Sequence, residues 1–303
     1  MTALLAAAVM MGTPLLLGAL AEVYAERTGV MNTAIEGCFL MGAWAGFVAA
    51  YTTGSLWLGL AAAVVMGVLT ALLYGVICVY LRQDQVVVGT AINILALGLS
   101  AFLFRVAFGT PLTPLTVEPF PKLSVPLLSS IPVLGPVLFQ QNVITYSLYL
   151  LAPLLIWVLY RTSVGLTIRS AGENPTAVDV AGIDVNRVRL VTVLFAGSLC
   201  GVAGAFYSIG FLGLFTETII GGRGWIAFAI CFLGNWSPRG AVLGTLVFGF
   251  AEAVAIQMQS SGSLALPNEV FIALPYLLTI ALTVARRRFS APDRLGVAYD
   301  KQG

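Results

Sequence analysis

Long stretches without a charged residue constrain this sequence more than any other feature. A helix needs about 20 mostly apolar residues to cross the hydrocarbon core of a bilayer. Only 9% of all residues are charged, compared with about 25% in a soluble globular domain. The sequence therefore predicts an all-α, polytopic membrane helical bundle that forms a single domain over residues 1–303. The segments that contain no Lys, Arg, Asp or Glu are 1–21, 37–81, 85–104, 123–160 and 190–216.

Gly, Pro and charged residues divide these stretches into about nine spans, within a range of about eight to ten. The second predicted span (30–51) and the seventh (217–234) begin with polar residues, and either is a candidate for a broken or re-entrant helix. We expect the first to be a retained span, because it lacks the basic start and the cleavage pattern of a secretory signal. The predicted spans are 3–21, 30–51, 56–81, 86–108, 142–160, 190–212, 217–234, 240–258 and 269–285.

The basic residues fall almost entirely on one side of these spans. With the C-terminus in the cytoplasm, twelve of the 15 Lys and Arg residues lie in cytoplasmic segments, as the positive-inside rule requires. The pattern suits a bacterial cytoplasmic (inner) membrane. Two loops are long: an outer loop at about 109–141, with seven prolines, and a cytoplasmic loop at about 161–189.

Several kinds of chemistry are disfavoured by composition. The chain has no histidine and its four cysteines form no CxxC pair, so we expect no metal site and no catalytic residues. Neither lysine stands in a GxxxxGK[ST] motif, which means that any ATP would be hydrolysed by a different polypeptide. No feature predicts nucleic-acid binding. A secondary transporter or a channel stays open as a different class.

Two segments of the chain resemble each other. GVMNTAIEGCFL (29–40) and GRGWIAFAICFL (222–233) share five identical positions at a constant offset. In the predicted topology they run in opposite directions across the membrane. The sequence therefore predicts an inverted-topology repeat, which in transporters places the solute path between the two halves.

Polar residues at membrane depth are the candidates for that path. Each buried ionisable group costs roughly 2.5–3.5 kcal/mol on insertion scales, which makes it a functional candidate. The alternative is that these side chains cap broken helices or pair across helix interfaces. The candidates are Asn32, Glu36, Asn93, Glu217 and Arg223.

The cytoplasmic loop contains the signals of one short helix. Asn174 suits the N-cap, Pro175 the first helical position and Gly182 the C-terminal stop. The result is a helix at about 175–181. Because a helix this short is marginal in water, we expect it to dock on a partner, although an ordinary surface helix is the alternative.

The sequence resembles the permeases of bacterial ABC importers in the branched-chain amino acid, simple sugar and nucleoside group. It is most similar to the second permease subunit of nucleoside uptake systems. The outer loop shows no such similarity. The matching segments are ERTGVMNTAIEG (26–37), LRQDQVVVGTAINILALGL (81–99), GLTIRSAGENPTAVDVAGIDVNRVR (165–189), GRGWIAFAICFLGNWSPRGAVLGTLVFGFAEA (222–253), LPYLLTIALTVARRR (274–288) and GVAYDK (296–301).

The resemblance implies a complex in which this chain is not itself an enzyme. Its partners would be ABC ATPase subunits that bind ATP and Mg²⁺, a second homologous permease subunit and an extracytoplasmic solute-binding lipoprotein. The solute would be a nucleoside, with simple sugars of the ribose or galactose type and branched-chain amino acids as alternatives. Residues 173–182 would form the coupling helix seated in the ATPase. The residues assigned to that contact are Arg169, Glu173, Asn174, Pro175, Asp179 and Gly182.

Overall fold

The computed structural model describes residues 2–261, 268–285 and 289–300. Helices dominate this part of the chain. The helices are α1 (Thr2–Arg27), α2 (Ile35–Thr53), α3 (Leu56–Gly75), α4 (Gln85–Phe108), α5 (Leu134–Leu138), α6 (Val143–Arg161), α7 (Ser163–Glu173), α8 (Pro175–Val180), α9 (Val185–Ala205), α10 (Arg223–Leu233), α11 (Pro238–Ser261) and α12 (Asn268–Ala285). π-Helical turns extend α3 through Val76–Tyr80 and α9 through Phe206–Leu212.

Among the described residues, seven helices are long and apolar enough to cross a membrane. They are α1, α2, α3, α4, α6, α9 and α11, with α3 and α9 counted together with their π-helical ends. The predicted class, an all-α polytopic membrane bundle, is confirmed. Two of the predicted spans contain apolar helices that are shorter than the predicted span. The seventh span contains only Arg223–Leu233, and the last contains the apolar stretch Ala273–Val284 of α12.

Local sequence signals set the helix boundaries. The Asp84 carboxylate accepts hydrogen bonds from the first free amides of α4, at Val86 and Val87, both at 2.9 Å. Asn142 caps α6 and Asp184 caps α9 in the same way. Each of these side chains satisfies amides that have no partner within the first helical turn.

Glycines bring the central helices α2, α3 and α9 into contact. A Cβ on Gly42 would lie 2.6 Å from the Cα of Gly201, and one on Gly204 would collide with the carbonyl oxygen of Phe39. Gly197 and Gly67 pack against each other's backbone in the same manner. Without side chains at these points, the helix backbones approach closely enough for van der Waals packing to hold the bundle in lipid.

The predicted outer loop folds into short pieces. Two-residue strands pair Leu123–Ser124 with Gln140–Gln141, and a 3-10 turn and α5 lie between them. Backbone hydrogen bonds from Val117 to Gly213 (2.8 Å) and from Phe120 to Ile209 (2.9 Å) fix the loop to the end of α9. The loop is therefore attached to the bundle and covers the end of α9.

Candidate functional site

The chain between α1 and α2 crosses the bundle without regular structure. Residues 28–34, here called the crossing segment, need hydrogen-bond partners from elsewhere because irregular backbone inside a membrane protein must be satisfied by protein or water. Asn93 of α4 supplies two of them: its Oδ1 accepts from the Gly37 amide (2.8 Å) and its Nδ2 donates to the Thr33 carbonyl (2.9 Å). Gln85 accepts through its side chain from the Met31 amide at 2.8 Å. Asn93 thus holds backbone in place, with both of its polar atoms engaged.

Glu36 joins the two segments that resemble each other in sequence. Its carboxylate oxygens accept hydrogen bonds from the amides of Gly222 and Gly224, both at 2.8 Å, at the N-terminus of α10. Glu36 itself lies in the first turn of α2. Two helix N-termini therefore meet at one carboxylate, where the partial positive charges of both helix ends stabilise it. This meeting point is called the junction below.

The helices run away from the junction in opposite directions. The far end of α10 leads to Trp236, whose indole donates to Glu26 near the end of α1. The far half of α2 carries Phe47, which contacts Phe104 and Phe215. This is the arrangement that an inverted repeat predicts for its two copies.

A buried polar cluster lies on the α1 side of the crossing segment. Asn32 donates from Nδ2 to Glu22 at 2.9 Å, and Glu22, Glu26 and Asn32 are each at most 1% exposed. The last turn of α1 carries Arg27, whose Nε donates to the Trp236 carbonyl at 2.7 Å. Asn32 is thus buried and hydrogen-bonded to α1.

Arg223 lies on the wall of a polar cleft between α10, α11 and α12. Its Nε donates to Glu252 at 2.5 Å, and its guanidinium stacks over the Tyr207 ring at 5.2 Å. The adjoining cavity has a volume of 230 Å³. The residues lining this polar cleft are Gly221, Arg223, Ile226, Glu252, Ala255, Ile256, Gln259, Pro275 and Tyr276.

The polar cleft lies well away from the starts of the helices α11 and α12 that line it. Glu252 is about 21 Å along α11 from Pro238, at 1.5 Å per residue. Tyr276 is about 12 Å along α12 from its first residue, Asn268. The hydroxyl of Tyr276 donates to the Gly221 carbonyl at 3.0 Å. The cleft therefore combines a cation, a carboxylate and a phenol with an exposed amide side chain, Gln259.

Glu217 lies apart from the other four path candidates. It is exposed and lines a second cavity of 300 Å³ together with Arg105 and Phe215. The structure thus brings Glu36 and Arg223 together at the N-terminus of α10 and places Asn32 and Asn93 around the crossing segment. Glu22, Glu26 and Trp236 were not predicted as site residues; Trp236 and its partner Glu26 are 210 residues apart in the chain.

The loop predicted at about 161–189 contains two short helices. The predicted short helix is present as α8, with Asn174 Oδ1 accepting from the Ala177 amide at 3.1 Å and Gly182 in the left-handed region at φ +84. The preceding α7 was not predicted. Val180 of α8 is 85% exposed, whereas Val178 is 5% exposed. The helix therefore presents one apolar side chain outward while its other face packs on α7 and α9.

The remaining residues of that loop have internal contacts. Arg169 donates to the Leu159 carbonyl at 3.1 Å and lies over the Tyr160 ring. Glu173 forms an ion pair with Arg27 at 3.6 Å. Both contacts fix α7 to the ends of membrane helices, which sets the position of α8.

Comparison with known proteins agrees with this architecture. The guanosine ABC transporter permease protein of Bacillus subtilis is 38% identical over 95% of this chain and 93% of the relative. The nucleoside ABC transporter permease protein of Lactococcus lactis is 36% identical over 95% of this chain and 94% of the relative. A protein of Haloferax volcanii named for glucose ABC transport is 32% identical over 99% of this chain and 98% of the relative.

A solved structure supports the fold. It is described as an inward-facing conformation of a metal-chelate type ABC transporter, and it matches with a TM-score of 0.51 over 93% of this chain and 85% of that chain, at 15% identity. The family described as "Branched-chain amino acid transport system / permease component" matches residues 4–283. The chain therefore belongs to the family of branched-chain amino acid transport system permease components.

Proposed function

We propose that this chain is the membrane-spanning permease subunit of an ATP-driven ABC importer for nucleosides. The observation that carries the proposal is the similarity, over nearly the full length, to two permease proteins named for guanosine and nucleoside transport. Simple sugars are the second candidate, favoured by the similarity to the protein named for glucose transport.

The proposal includes partners that bind ATP. ABC ATPase subunits would bind ATP and Mg²⁺ and would contact α8, whose Val180 side chain is exposed. A second permease subunit and a solute-binding lipoprotein would complete the complex in the cytoplasmic membrane, with the C-terminus in the cytoplasm. The coupling contact would comprise Arg169, Glu173, Asn174, Pro175, Asp179 and Gly182.

The solute path, in this proposal, runs along the polar cleft. Neutral polar solutes need hydrogen-bond donors and acceptors without a deep charge trap, and the Arg223–Glu252 ion pair offers both while its charges compensate each other. The second carboxylate oxygen of Glu252 is buried and has no hydrogen-bond partner among the described residues, so a solute hydroxyl or amine would bind it only when the cleft opens. Glu36, Asn32 and Asn93 would then position the walls of the path, and Glu217 would lie at its outer end.

The function is tested by purifying the complex under mild detergent. We expect ATPase subunits to co-purify, and ATP hydrolysis to rise when the solute-binding protein is added with a nucleoside. Ribose, glucose and leucine are the competing solutes. A permease that carries no ATPase subunit would contradict the ABC assignment, and stimulation by ribose or glucose alone would replace nucleosides with sugars.

The path is tested with Glu252→Gln. Losing a charge-assisted hydrogen bond of about 1.5–3 kcal/mol lowers a rate by about tenfold or more. We therefore expect nucleoside uptake per assembled complex to fall by that factor. Glu118→Gln, the same change on an exposed side chain of the outer loop, is the control and should leave uptake unchanged. If Glu252→Gln lowers thermal stability and leaves uptake per complex unchanged, the ion pair only joins α10 to α11.

A further inference from the structure

The end of the described chain returns to the loop that carries α8. The Tyr299 hydroxyl donates to Asp179 of α8 at 3.1 Å. The Arg294 amide donates to the Gly172 carbonyl of α7 at 2.9 Å. Residues 289–300, here called the C-terminal segment, are thus attached to both short helices.

The same segment is attached to the start of the crossing segment. The Gly296 amide donates to the Gly29 carbonyl at 3.0 Å. Arg189 of α9, which is 2% exposed, binds both the C-terminal segment and the crossing segment. Its Nη1 donates to the Val297 carbonyl at 2.8 Å, and its Nε donates to the Thr28 carbonyl at 3.0 Å. A buried guanidinium therefore ties the C-terminal segment to the crossing segment.

Further contacts fix the two ends of the segment. The Ser290 amide donates to Asn235, in the turn between α10 and α11, at 2.8 Å. Asp300 forms an ion pair with Arg82, at the end of α3, at 2.8 Å. The segment therefore spans the face of the bundle from the α10–α11 turn to the end of α3.

The short helix α8 has little support of its own. It has six residues, and its buried side chain Val178 packs in a small apolar cluster with Ala171 and Val185. Tyr299 of the C-terminal segment packs against that cluster. An isolated helix of this length is only marginally stable. A force applied to α8 therefore displaces the bundle only if other segments of the protein hold α8 firmly in place.

We propose that the C-terminal segment is the mechanical link through which α8 moves the crossing segment. Displacement of α8 passes through Tyr299 and the backbone of residues 294–297 to Arg189 and Gly29. The crossing segment then carries it to Glu36 and the junction. Tyr299 and Arg189 are positioning residues in this scheme. The inference rests on the proposed contact of α8 with an ATPase, and it adds the route by which that contact reaches the solute path.

The test is the ratio of ATP hydrolysed to nucleoside imported by the complete complex in liposomes. Tyr299→Phe removes the hydroxyl and keeps the ring. We expect this ratio to rise about two- to tenfold, because a hydrogen bond of about 0.5–1.5 kcal/mol corresponds to a factor of that order. Tyr80→Phe, on an exposed tyrosine at the end of α3, is the matched control and should leave the ratio unchanged. ATPase co-purification should be unaffected in both variants, which separates failure of the link from failure of the proposed function.

A second pair of variants examines the partner of Tyr299. Asp179→Asn keeps an oxygen that accepts the phenol hydrogen, whereas Asp179→Ala removes it. We expect Asp179→Ala to raise the ratio and Asp179→Asn to restore most of the coupling. Adding Tyr299→Phe to Asp179→Ala should raise the ratio no further, since the oxygen that the Tyr299 hydroxyl binds is already absent. Independent, additive effects would contradict the direct link.

Backbone hydrogen exchange provides the measurement that does not depend on transport. The amides of Arg294 and Gly296 are hydrogen-bonded to α7 and to the crossing segment, so we expect slow exchange in the intact complex and faster exchange in Tyr299→Phe. Fast exchange at both amides in the unmodified complex would overturn the proposal. An unchanged ATP-to-solute ratio in Tyr299→Phe would overturn it as well.

Discussion

The Glu36 carboxylate accepts hydrogen bonds from two amides of α10, at Gly222 and Gly224, both at 2.8 Å. Glu36→Gln preserves the shape of the side chain and replaces one accepting oxygen by an NH2 group. That group faces a backbone N–H, so one of the two hydrogen bonds is lost and a donor meets a donor. The other bond becomes a bond to a neutral acceptor.

The expected cost follows from these two changes. A hydrogen bond to a charged group contributes about 1.5–3 kcal/mol, and a neutral one about 0.5–1.5 kcal/mol. Losing the first and weakening the second lowers the free energy of unfolding by about 2–4 kcal/mol. The favourable interaction of a carboxylate with a helix N-terminus is lost at the same time. The change therefore removes a substantial part of a typical stability of about 5–15 kcal/mol.

The free energy of unfolding is measured by SDS titration of the purified permease in mixed detergent micelles. Glu217→Gln is the matched control, because Glu217 is exposed and the same substitution there should change stability by less than about 0.5 kcal/mol. A Glu36→Gln protein as stable as the control would refute the reasoning, since it would mean that the two amides do not depend on a charged acceptor.

Two further predictions concern helix contacts elsewhere in the bundle. Gly204→Ala should greatly reduce the yield of folded protein, because its Cβ would collide with a backbone carbonyl of α2. In Gly98→Ala the new Cβ meets no atom within 4 Å, so the yield should be unchanged. Size-exclusion chromatography of both variants measures the yield of folded protein. Trp236→Phe removes the indole N–H that donates to Glu26 and should lower the free energy of unfolding by about 1–3 kcal/mol. Trp57→Phe, on a side chain 62% exposed, should have no such effect in the same titration.

Much of the secondary structure was predictable because its causes are local. The uncharged stretches predicted the membrane helices, and the Asn174, Pro175 and Gly182 signals predicted α8. Capping depends on residues within one helical turn, so it can be read along the chain. The helix α7 was not predicted, although its N-cap is also local: the Thr162 side chain accepts from the Gly165 amide.

The candidate site was predictable only in part. The cost of placing polar groups in a membrane singled out Asn32, Glu36, Asn93 and Arg223. Their partners were not predictable, because the contacts join residues far apart in the chain; Glu36 and Gly222 are one example. All four have polar contacts that hold backbone or neighbouring carboxylates, the kind of contact that the structural alternative predicts.

The sequence by itself determined that this chain spans a membrane many times and where a short helix begins and ends in the loop at about 161–189. These properties follow from composition and from signals within a few residues. Only the tertiary structure decided that two helix N-termini meet at Glu36, that Arg223 and Glu252 form the wall of a polar cleft, and that the C-terminal segment joins α8 to the crossing segment. Hydrogen bonds at these places satisfy buried polar groups whose partners are chosen by packing, and packing is a property of the whole bundle.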